Sequence, residues 1–376
     1  MEPLRIAIAT PRRDVWSETF IAAHLDRLRE VVLVLTDGTL PKRDGSGRPL
    51  LLTTKGYRFR NRYERSLLGL DKPEMLRRRI ATLLCEQRVQ VVLAEYGPTG
   101  EELLTSCRMA GVPLVVHFHG HDAHERGVLE RYQGYRRLIE GAAAFVVVSR
   151  GMEEQLLRLG APREKVFYNC YGIDVERFDG GRPDEAPPHF LATGRFVEKK
   201  APVLTLLAFH RVVQLRPDAR LTMVGTGALW ESTMQAVKAL GLTGSVDLCG
   251  VRTPDEVANL MRTCRAFVQH SVVTDANDRE GTPLAILEAM ASGIPVVATR
   301  HEGIADVVTH GERGLLCDEF DIGTMAEHLL QLTDDRALAG RMGAAGRAYV
   351  QEFHRVENTI ASLHRILSRF ASSSSS

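Results

Sequence analysis

Two acids stand in the stretch EGTPLAILEAMASGIPVVAT (280–299), Glu280 and Glu288. From Leu284 to Ala291 every residue except Glu288 is apolar. An ionised carboxylate taken out of water costs several kcal/mol unless something pairs with it, so either an internal arginine or a ligand must be the partner. Thr282 as N-cap, Pro283 as first helical residue, Gly293 as stop and Pro295 beyond it predict a helix over 283–292. Its start leaves unpaired amides over 282–285. The turn Gly281, Thr282, Pro283, Leu284 therefore forms an anion site between the two acids. At ~1.5 Å per residue, Glu288 lies roughly 8 Å beyond Pro283. Acid, anion site, acid is the order in which a nucleotide sugar presents hexose hydroxyls, diphosphate and ribose diol, and a carboxylate accepts from vicinal hydroxyls with both oxygens. On this stretch alone the other reading stays open: Glu288 paired internally, Glu280 solvated.

A second constellation is GRFVEKKAP (194–202), which follows the apolar run HFLAT. Gly194, Arg195 and Lys200 fall at a strand's carboxyl end, just before a helix opened by Pro202. Two cations there suit a diphosphate, Arg binding it bidentately and Lys as a point charge. Lys199 is expected in solvent. GTG (225–227) follows ARLTMV, but position 230 is Trp. Without the third glycine of a dinucleotide fingerprint, Gly225 marks a tight turn near the nucleotide. His119 ends the run PLVVHFH, followed by Gly120 and Asp122. His117, His121 and His124 lie near it in sequence, yet strand alternation and the turn at Gly120 are expected to point the four imidazoles apart, so no metal site is expected. Asp275 and Asp278 read as loop solvation.

These residues need a scaffold. Apolar runs of strand length recur at 4–10, 31–36, 89–96, 113–119, 144–149, 189–194, 219–225, 245–250, 265–271 and 295–299, nearly all followed by helix-length segments. Continuous rather than alternating runs mean parallel sheets covered on both faces. The fold class is α/β, with two doubly wound domains facing across a cleft where strand ends gather ligands. FDGGRPDEAPPHF (178–190), with two glycines and three prolines, reads as the linker.

Gly194, Arg195, Lys200, Glu280 and Glu288 with EAMASGIPVVAT resemble the donor domain of the family-4 retaining glycosyltransferases. WSETFI (16–21), HFHGHD (117–122), VVSRGM (147–152), YGIDVERF (171–178) and GERGLL (311–316) extend that resemblance in family order. The SETF and QHS…EGTPLAILEAMA patterns look most like bacterial exopolysaccharide transferases of the colanic-acid type. The resemblance implies the GT-B fold: residues 1–180 as acceptor-side domain, 181–353 as donor domain, and a helix over 354–370 crossing back to the first, before a disordered serine tail (371–376). It implies that Arg195 and Lys200 hold the donor diphosphate, Glu280 the sugar hydroxyls and Glu288 the ribose, with His119 beside the donor sugar. Ser17, Thr19 and Asp122 fall to the acceptor side. No cofactor is implied; the donor is a nucleotide diphosphate sugar, and the acceptor a saccharide or a polyprenyl-diphosphate-linked saccharide. With no D-x-D pair at a strand end, a metal-independent reaction is expected, its charge met by Arg195 and Lys200. Three departures stand out: Trp16-Ser17-Glu18-Thr19 where many relatives have a glycine pair, His117 where threonine is usual, and Asp306 where glutamate is usual.

The 376 residues suffice for two ordinary domains, and a net charge of +1 gives no global reason to expect nucleic acid. Residues 1–180 hold 28 basic and 24 acidic side chains, and the remainder 20 and 23. Residues 51–80 hold nine basic and three acidic residues among Tyr, Phe and Leu. That segment is either a solvated face or a dock on anionic lipid, worth roughly 1 kcal/mol per cation. Six cysteines without metal or redox spacing read as reduced thiols. No signal-peptide h-region and no 18-residue apolar run occur, which predicts a cytoplasmic protein, peripheral on the membrane's inner face only under the lipid-docking reading of 51–80. Two rival functions share the architecture: a nucleotide-sugar 2-epimerase, and a non-catalytic nucleotide-sugar or glycan-binding relative.

Overall fold

A computed structural model describes residues 3–13, 18–51 and 69–372. The chain divides into two compact units, residues 1–148, 152–169 and 360–376 forming one, and 149–151 and 170–359 the other. Ser17, most of the basic 51–80 segment and most of the serine tail lie outside the described residues.

Unit 1 is built on a seven-stranded sheet in the order β3-β2-β1-β4-β5-β6-β7. Its strands are β1 (Ile6–Ala9), β2 (Val31–Thr36), β3 (Arg43–Asp44), β4 (Val91–Glu95), β5 (Leu114–Phe118), β6 (Ala144–Val147) and β7 (Val166–Tyr168). All pair in parallel except the short edge strand β3, which runs antiparallel to β2. Unit 2 carries a six-stranded sheet in the order β10-β9-β8-β11-β12-β13. These are β8 (His189–Thr193), β9 (Arg220–Val224), β10 (Val246–Gly250), β11 (Ala266–Gln269), β12 (Val296–Thr299) and β13 (Gly314–Cys317), all parallel. The predicted apolar runs form the expected strands. β3, β7 and β13 were not foreseen; each is short, and β3 and β7 are edge strands that carry little of the apolar signal. In both sheets strand order reverses beside the first strand, between β1 and β4 and between β8 and β11, which is where doubly wound sheets bind ligands.

Central strands β1, β4 and β5 are buried along their whole length, which explains their unbroken hydrophobicity. The core of unit 1 also takes in Leu363, Ile366 and Leu367 from the helix Val356–Phe370. The 178–190 stretch lies inside unit 2 rather than between the units. Arg265 is fully buried and donates to the carbonyls of Leu332 (2.8 Å), Thr333 (3.0 Å) and Ala186. Arg262 donates to Asp179 O at 2.7 Å and Arg177 O at 2.8 Å. Buried backbone carbonyls need donors, and these two arginines supply them where Gly and Pro forbid a regular ladder.

Among the described residues no helix is long and apolar enough to cross a membrane. Within the basic segment, Arg77, Arg78 and Arg79 pair with Glu102, Glu74 and Glu86, so the part of this segment in the helix Lys72–Glu86 is largely compensated.

Candidate active site

In unit 2 the carboxyl ends of β8 and β9 meet backbone to backbone. Gly194 (φ +149°) donates its amide to Val224 O at 2.9 Å, and Phe196 donates to Thr226 O at 2.9 Å. Gly225 has φ +133°, and a Cβ there would fall 1.9 Å from Gly194 O. Only glycine satisfies both the conformation and the approach. A Cβ on Gly194 would lie 2.9 Å from Lys200 Cδ, so the bare backbone at this turn makes room for the lysine stem. A small open recess lies here, lined by Gly194, Arg195, Phe196, Lys200, Thr205 and Gln269 among others. It sits at the switch point between β8 and β11.

Lys200 Nζ donates to Glu280 Oε2 at 3.0 Å, across 80 residues of chain. Glu280 is 7% exposed. Burial pushes its carboxyl up, but the charges of Lys200 and Lys199 outweigh that and hold it below the usual carboxylate range. Its amide donates to His301 Nε2 at 3.1 Å, and His301 Nδ1 is 2.5 Å from Glu319 Oε1. An acceptor at Nε2 requires the proton on Nδ1, so the imidazole relays the orientation of Glu319 to Glu280. One oxygen, Glu280 Oε1, is buried without a hydrogen-bond partner among the described residues. Such an atom costs free energy unless a ligand donor fills it. Gln269 Oε1, lining the recess, is likewise buried and unpaired.

The helix spans Leu284–Ala291, with Pro283 as its N-cap and no side-chain cap. Thr282 is therefore not the cap expected from its type. Gly281 and Thr282 instead press against Gly303, where a Cβ would meet Thr282 Oγ1 at 2.3 Å and Gly281 O at 2.8 Å. The first helical amides, at Leu284 and Ala285, have no intrahelical acceptor. Gly293 ends the element in the left-handed region, φ +79°, as its type predicts. Glu288 is only partly buried at its surface, and its carboxylate makes no ion pair or hydrogen bond among the described residues. Burial pushes its carboxyl up to about 7 against the opposing pull of Arg177 and Lys200. Arg177 itself pairs with Asp255 at 3.2 Å, so the internal-arginine reading of Glu288 fails. Arg195 is exposed and unpaired among the described residues.

Two expectations for this unit need correction. Lys199 is not in solvent: it is 7% exposed and bonds Asp278 Oδ1 and Arg279 O, both at 3.0 Å. Asp278 is accordingly its partner rather than a solvated loop acid. Local sequence conceals such a pair, because the two residues meet only when β8 and β11 lie side by side.

In unit 1, β4 and β5 deliver a second cluster. Glu95 is fully buried; His24 Nδ1 lies 2.7 Å from its Oε1, while His119 Nε2 lies 2.8 Å and His117 Nδ1 3.5 Å from its Oε2. The imidazoles do not diverge as expected. His117 on β5 and His119 just past its end are two residues apart, so extended backbone turns them to the same side, their centroids 4.3 Å apart; His121 and His124 belong to the short helix His121–His124. Among the described residues His24, Glu95 and His117 form a set compact enough to hold a cation, their ligand atoms within 4.8 Å of one another. The 2.7 Å His24–Glu95 separation is a hydrogen-bond distance, shorter than the roughly 3.3 Å between two ligands at ~2.0 Å on a tetrahedral ion. Asp122 is buried; its Oδ2 accepts from Gly97 N at 2.8 Å and its Oδ1 from His119 N at 2.9 Å. Its side chain thus clamps two turns. Thr19 is the exposed first residue of the helix Thr19–Arg27.

Residues 174–349 match the family described as glycosyl transferases group 1, and residues 20–172 the glycosyl transferase 4-like domain. The chain belongs to the group 1 glycosyl transferases. It is 30% identical over 257 residues to the amylovoran biosynthesis glycosyltransferase AmsK of Erwinia amylovora, covering 68% of this chain and 63% of that one. It is also 30% identical over 263 residues to the putative colanic acid biosynthesis glycosyltransferase WcaL of Escherichia coli, covering 66% and 64%. The matches thus span somewhat less than two thirds of these curated relatives. The fold is that of Anabaena HepE, crystallised with UDP and glucose, at a TM-score of 0.77 and 16% identity over 97% of this chain and all of that one.

Within this group 1 architecture, His301, Glu319, Gln269 and Gly303 escaped the sequence reading. Asp306, singled out as a departure, accepts the amide of Arg150 at 2.7 Å. A signal was available for Gly303, since a glycine in HEGIAD has no reason of its own to be there.

Proposed function

We propose that this chain is a retaining hexosyltransferase that moves a sugar from a nucleotide diphosphate donor to a saccharide or polyprenyl-diphosphate-linked saccharide in exopolysaccharide or cell-surface glycan synthesis. The observation that carries this reading is the Lys200–Glu280 pair, whose Glu280 keeps one buried oxygen open beside a helix start and the unpaired Glu288. Glu280 Oε1 takes a hexose hydroxyl, the amides at Leu284 and Ala285 with Arg195 and Lys200 take the diphosphate, and Glu288 takes the ribose diol. The bond from the anomeric carbon to the phosphate oxygen breaks, the acceptor oxygen bonds that carbon on the same face, and the acceptor proton passes to the departing phosphate. Arg195 and Lys200 supply the positive charge for that phosphate, so the reading is metal-independent. AmsK and WcaL are named for amylovoran and colanic acid biosynthesis, which supports the substrate class. The basic residues of 51–80 that precede the charge-compensated helix Lys72–Glu86 favour work at the inner face of a membrane.

A panel of nucleotide sugars followed by thermal melting tests this. At a hundredfold excess over Kd the cognate donor should stabilise the protein by about 2.7 kcal/mol, and donor consumption should require an acceptor. A panel in which no nucleotide sugar moves the melting curve counts against it, and acceptor-free conversion of donor into its epimer replaces it.

Glu288 adds a pH signature. Hydroxyls donate to the ionised form, and its carboxyl in the free protein titrates at about 7. Affinity for a nucleotide sugar, whose diphosphate diester does not titrate near neutrality, should therefore rise about tenfold between pH 6 and pH 8. Calorimetry at both pH values should show this slope in the wild type and lose it in Glu288→Gln. A flat profile in the wild type contradicts the ribose contact.

A further inference from the structure

Unit 1 holds a pocket of its own, of about 340 Å³, a size that accommodates a small ligand. The helix Lys72–Glu86 contributes Arg77 to its wall, the helix Gly97–Ala110 contributes Glu101 and Glu102, and the chain from 131 to 137 contributes Arg131, Tyr132 and Arg137. Apart from the one aromatic ring, the lining is charged or polar. A hydrocarbon ligand would strip water from those groups without replacing its hydrogen bonds. The occupant must therefore be hydrophilic.

Two of the lining residues lack what their chemistry needs. Arg77 is matched, its Nη2 lying 2.8 Å from Glu102 Oε2. Glu101 is not. Its side chain is 10% exposed, and the arginine nearest it, Arg137, is 3.5 Å away and 62% exposed, where water screens the charge. Glu101 Oε2 is buried with no hydrogen-bond partner among the described residues. Burial pushes this carboxyl up, and the pull of Arg137 and of the Leu138 amide does not reverse it. Such an oxygen costs free energy until a ligand donor reaches it. Arg131 has the opposite need. It is exposed, lies 5.7 Å from the centroid of the Tyr132 ring, and its guanidinium makes no ion pair or hydrogen bond among the described residues. With three guanidiniums and two carboxylates in the wall, one positive charge is left over.

Tyr132 is fixed before any ligand arrives. Its ring stacks on Tyr135 at 5.8 Å and 7°, and Tyr135 is fully buried, its hydroxyl donating to Asp122 O at 2.8 Å. Between the two rings the chain turns through Gln133 at φ +51° and Tyr135 at φ +59°, left-handed angles that cost non-glycine residues free energy. A ring held this way loses little side-chain entropy on binding. A pyranose has a face of C–H groups and a rim of hydroxyls, and a half-buried tyrosine offers the matching apolar body and polar tip.

We propose that this pocket is a second saccharide site, which takes a sugar bearing one carboxylate, a uronic acid unit. Ring hydroxyls donate to Glu101 Oε2, the C–H face lies on Tyr132, and the carboxylate pairs with Arg131, whose planar fork fits it bidentately. The pocket belongs to unit 1 and shares no residue with the donor recess of unit 2. Its test needs neither a nucleotide sugar nor turnover, so it stands or falls separately from the proposed transfer reaction.

Calorimetry on the full chain without nucleotide decides it, using cellobiouronate and digalacturonate as uronate probes, cellobiose as the neutral one and glucose 1-phosphate as the phosphate one. A uronate disaccharide should bind about tenfold or more tighter than cellobiose, the size of one charge-assisted contact. Arg131→Ala, a change at an exposed side chain, should erase that preference, whereas Glu101→Gln should weaken charged and neutral sugars alike. Hydrogen exchange on the wild type should show the uronate slowing amides within 97–105 and 126–137, which locates the site whether or not either variant folds. Failure of both uronates to bind in the millimolar range, equal binding of cellobiose, wild-type affinity in Arg131→Ala, or protection confined to unit 2 would each overturn the proposal. Arg131-dependent binding of glucose 1-phosphate alone would make this a phosphate site and overturn the carboxylate assignment.

Discussion

Lys200→Ala lowers turnover of the nucleotide sugar by about 10²–10³-fold, the loss typical when one preorganised contact to developing charge is removed. The size follows from where the ammonium sits. Its side chain is 15% exposed and that of Glu280 8%, so the pair interacts where water screens it poorly. Removing the lysine takes a cation from the diphosphate. It also leaves Glu280 among less positive charge, with burial raising its carboxyl towards protonation, and a protonated Glu280 loses acceptor capacity for a hexose hydroxyl. Lys200→Arg keeps the charge and should recover part of kcat, limited by the wider guanidinium above Gly194. Steady-state kinetics with circular dichroism on both variants checks this. A folded Lys200→Ala protein with near-normal turnover removes Lys200 from the mechanism, and with it the central claim of the proposed function.

Gly225→Ala should do comparable harm by a different route. An added Cβ would stand 1.9 Å from Gly194 O, at φ +133°. Neither the backbone angle nor the neighbouring carbonyl relaxes without separating the ends of β8 and β9. Strain of this kind costs of order 1–3 kcal/mol, and the clash adds to it. A loss of about 3 kcal/mol lowers the melting point of a domain this size by roughly 6–12 °C. The separated turns also misplace Arg195 and Lys200, so nucleotide-sugar affinity should drop more than about tenfold. A displacement of ~1 Å is enough for that. Calorimetric melting and a binding isotherm on the same sample give both numbers. Wild-type values for each would mean that the two turns are not in contact in solution.

The two variants separate charge from shape. Lys200→Ala removes a charge and leaves the turn intact, whereas Gly225→Ala leaves each charge in place and moves the turn that carries it. If both lose turnover but only Gly225→Ala loses donor affinity, Lys200 acts mainly on the departing phosphate rather than on ground-state binding.

What the amino-acid sequence determined by itself was whatever local pattern encodes. Runs such as VVLVLT and PVVAT became buried parallel strands because continuous apolarity admits no solvent face. Pro and Gly bracketed the helix at 284–291 because each acts on its own backbone. Gly194, Arg195, Lys200 and Glu280 were recognisable as candidates because their residue types follow strand ends. Tertiary structure alone decided which groups meet. Glu95, His24 and His119 come from β4, a helix near the N-terminus and the turn after β5, and nothing in their own stretches of sequence marks Glu95 as the acceptor of two imidazoles. Lys199 and Lys200 are adjacent and chemically alike, yet one is spent on Asp278 and the other holds Glu280. That choice depends on how two loops approach each other, and the energy of a buried ion pair is set by its partner and its solvent exclusion, neither of which is a property of the residue itself.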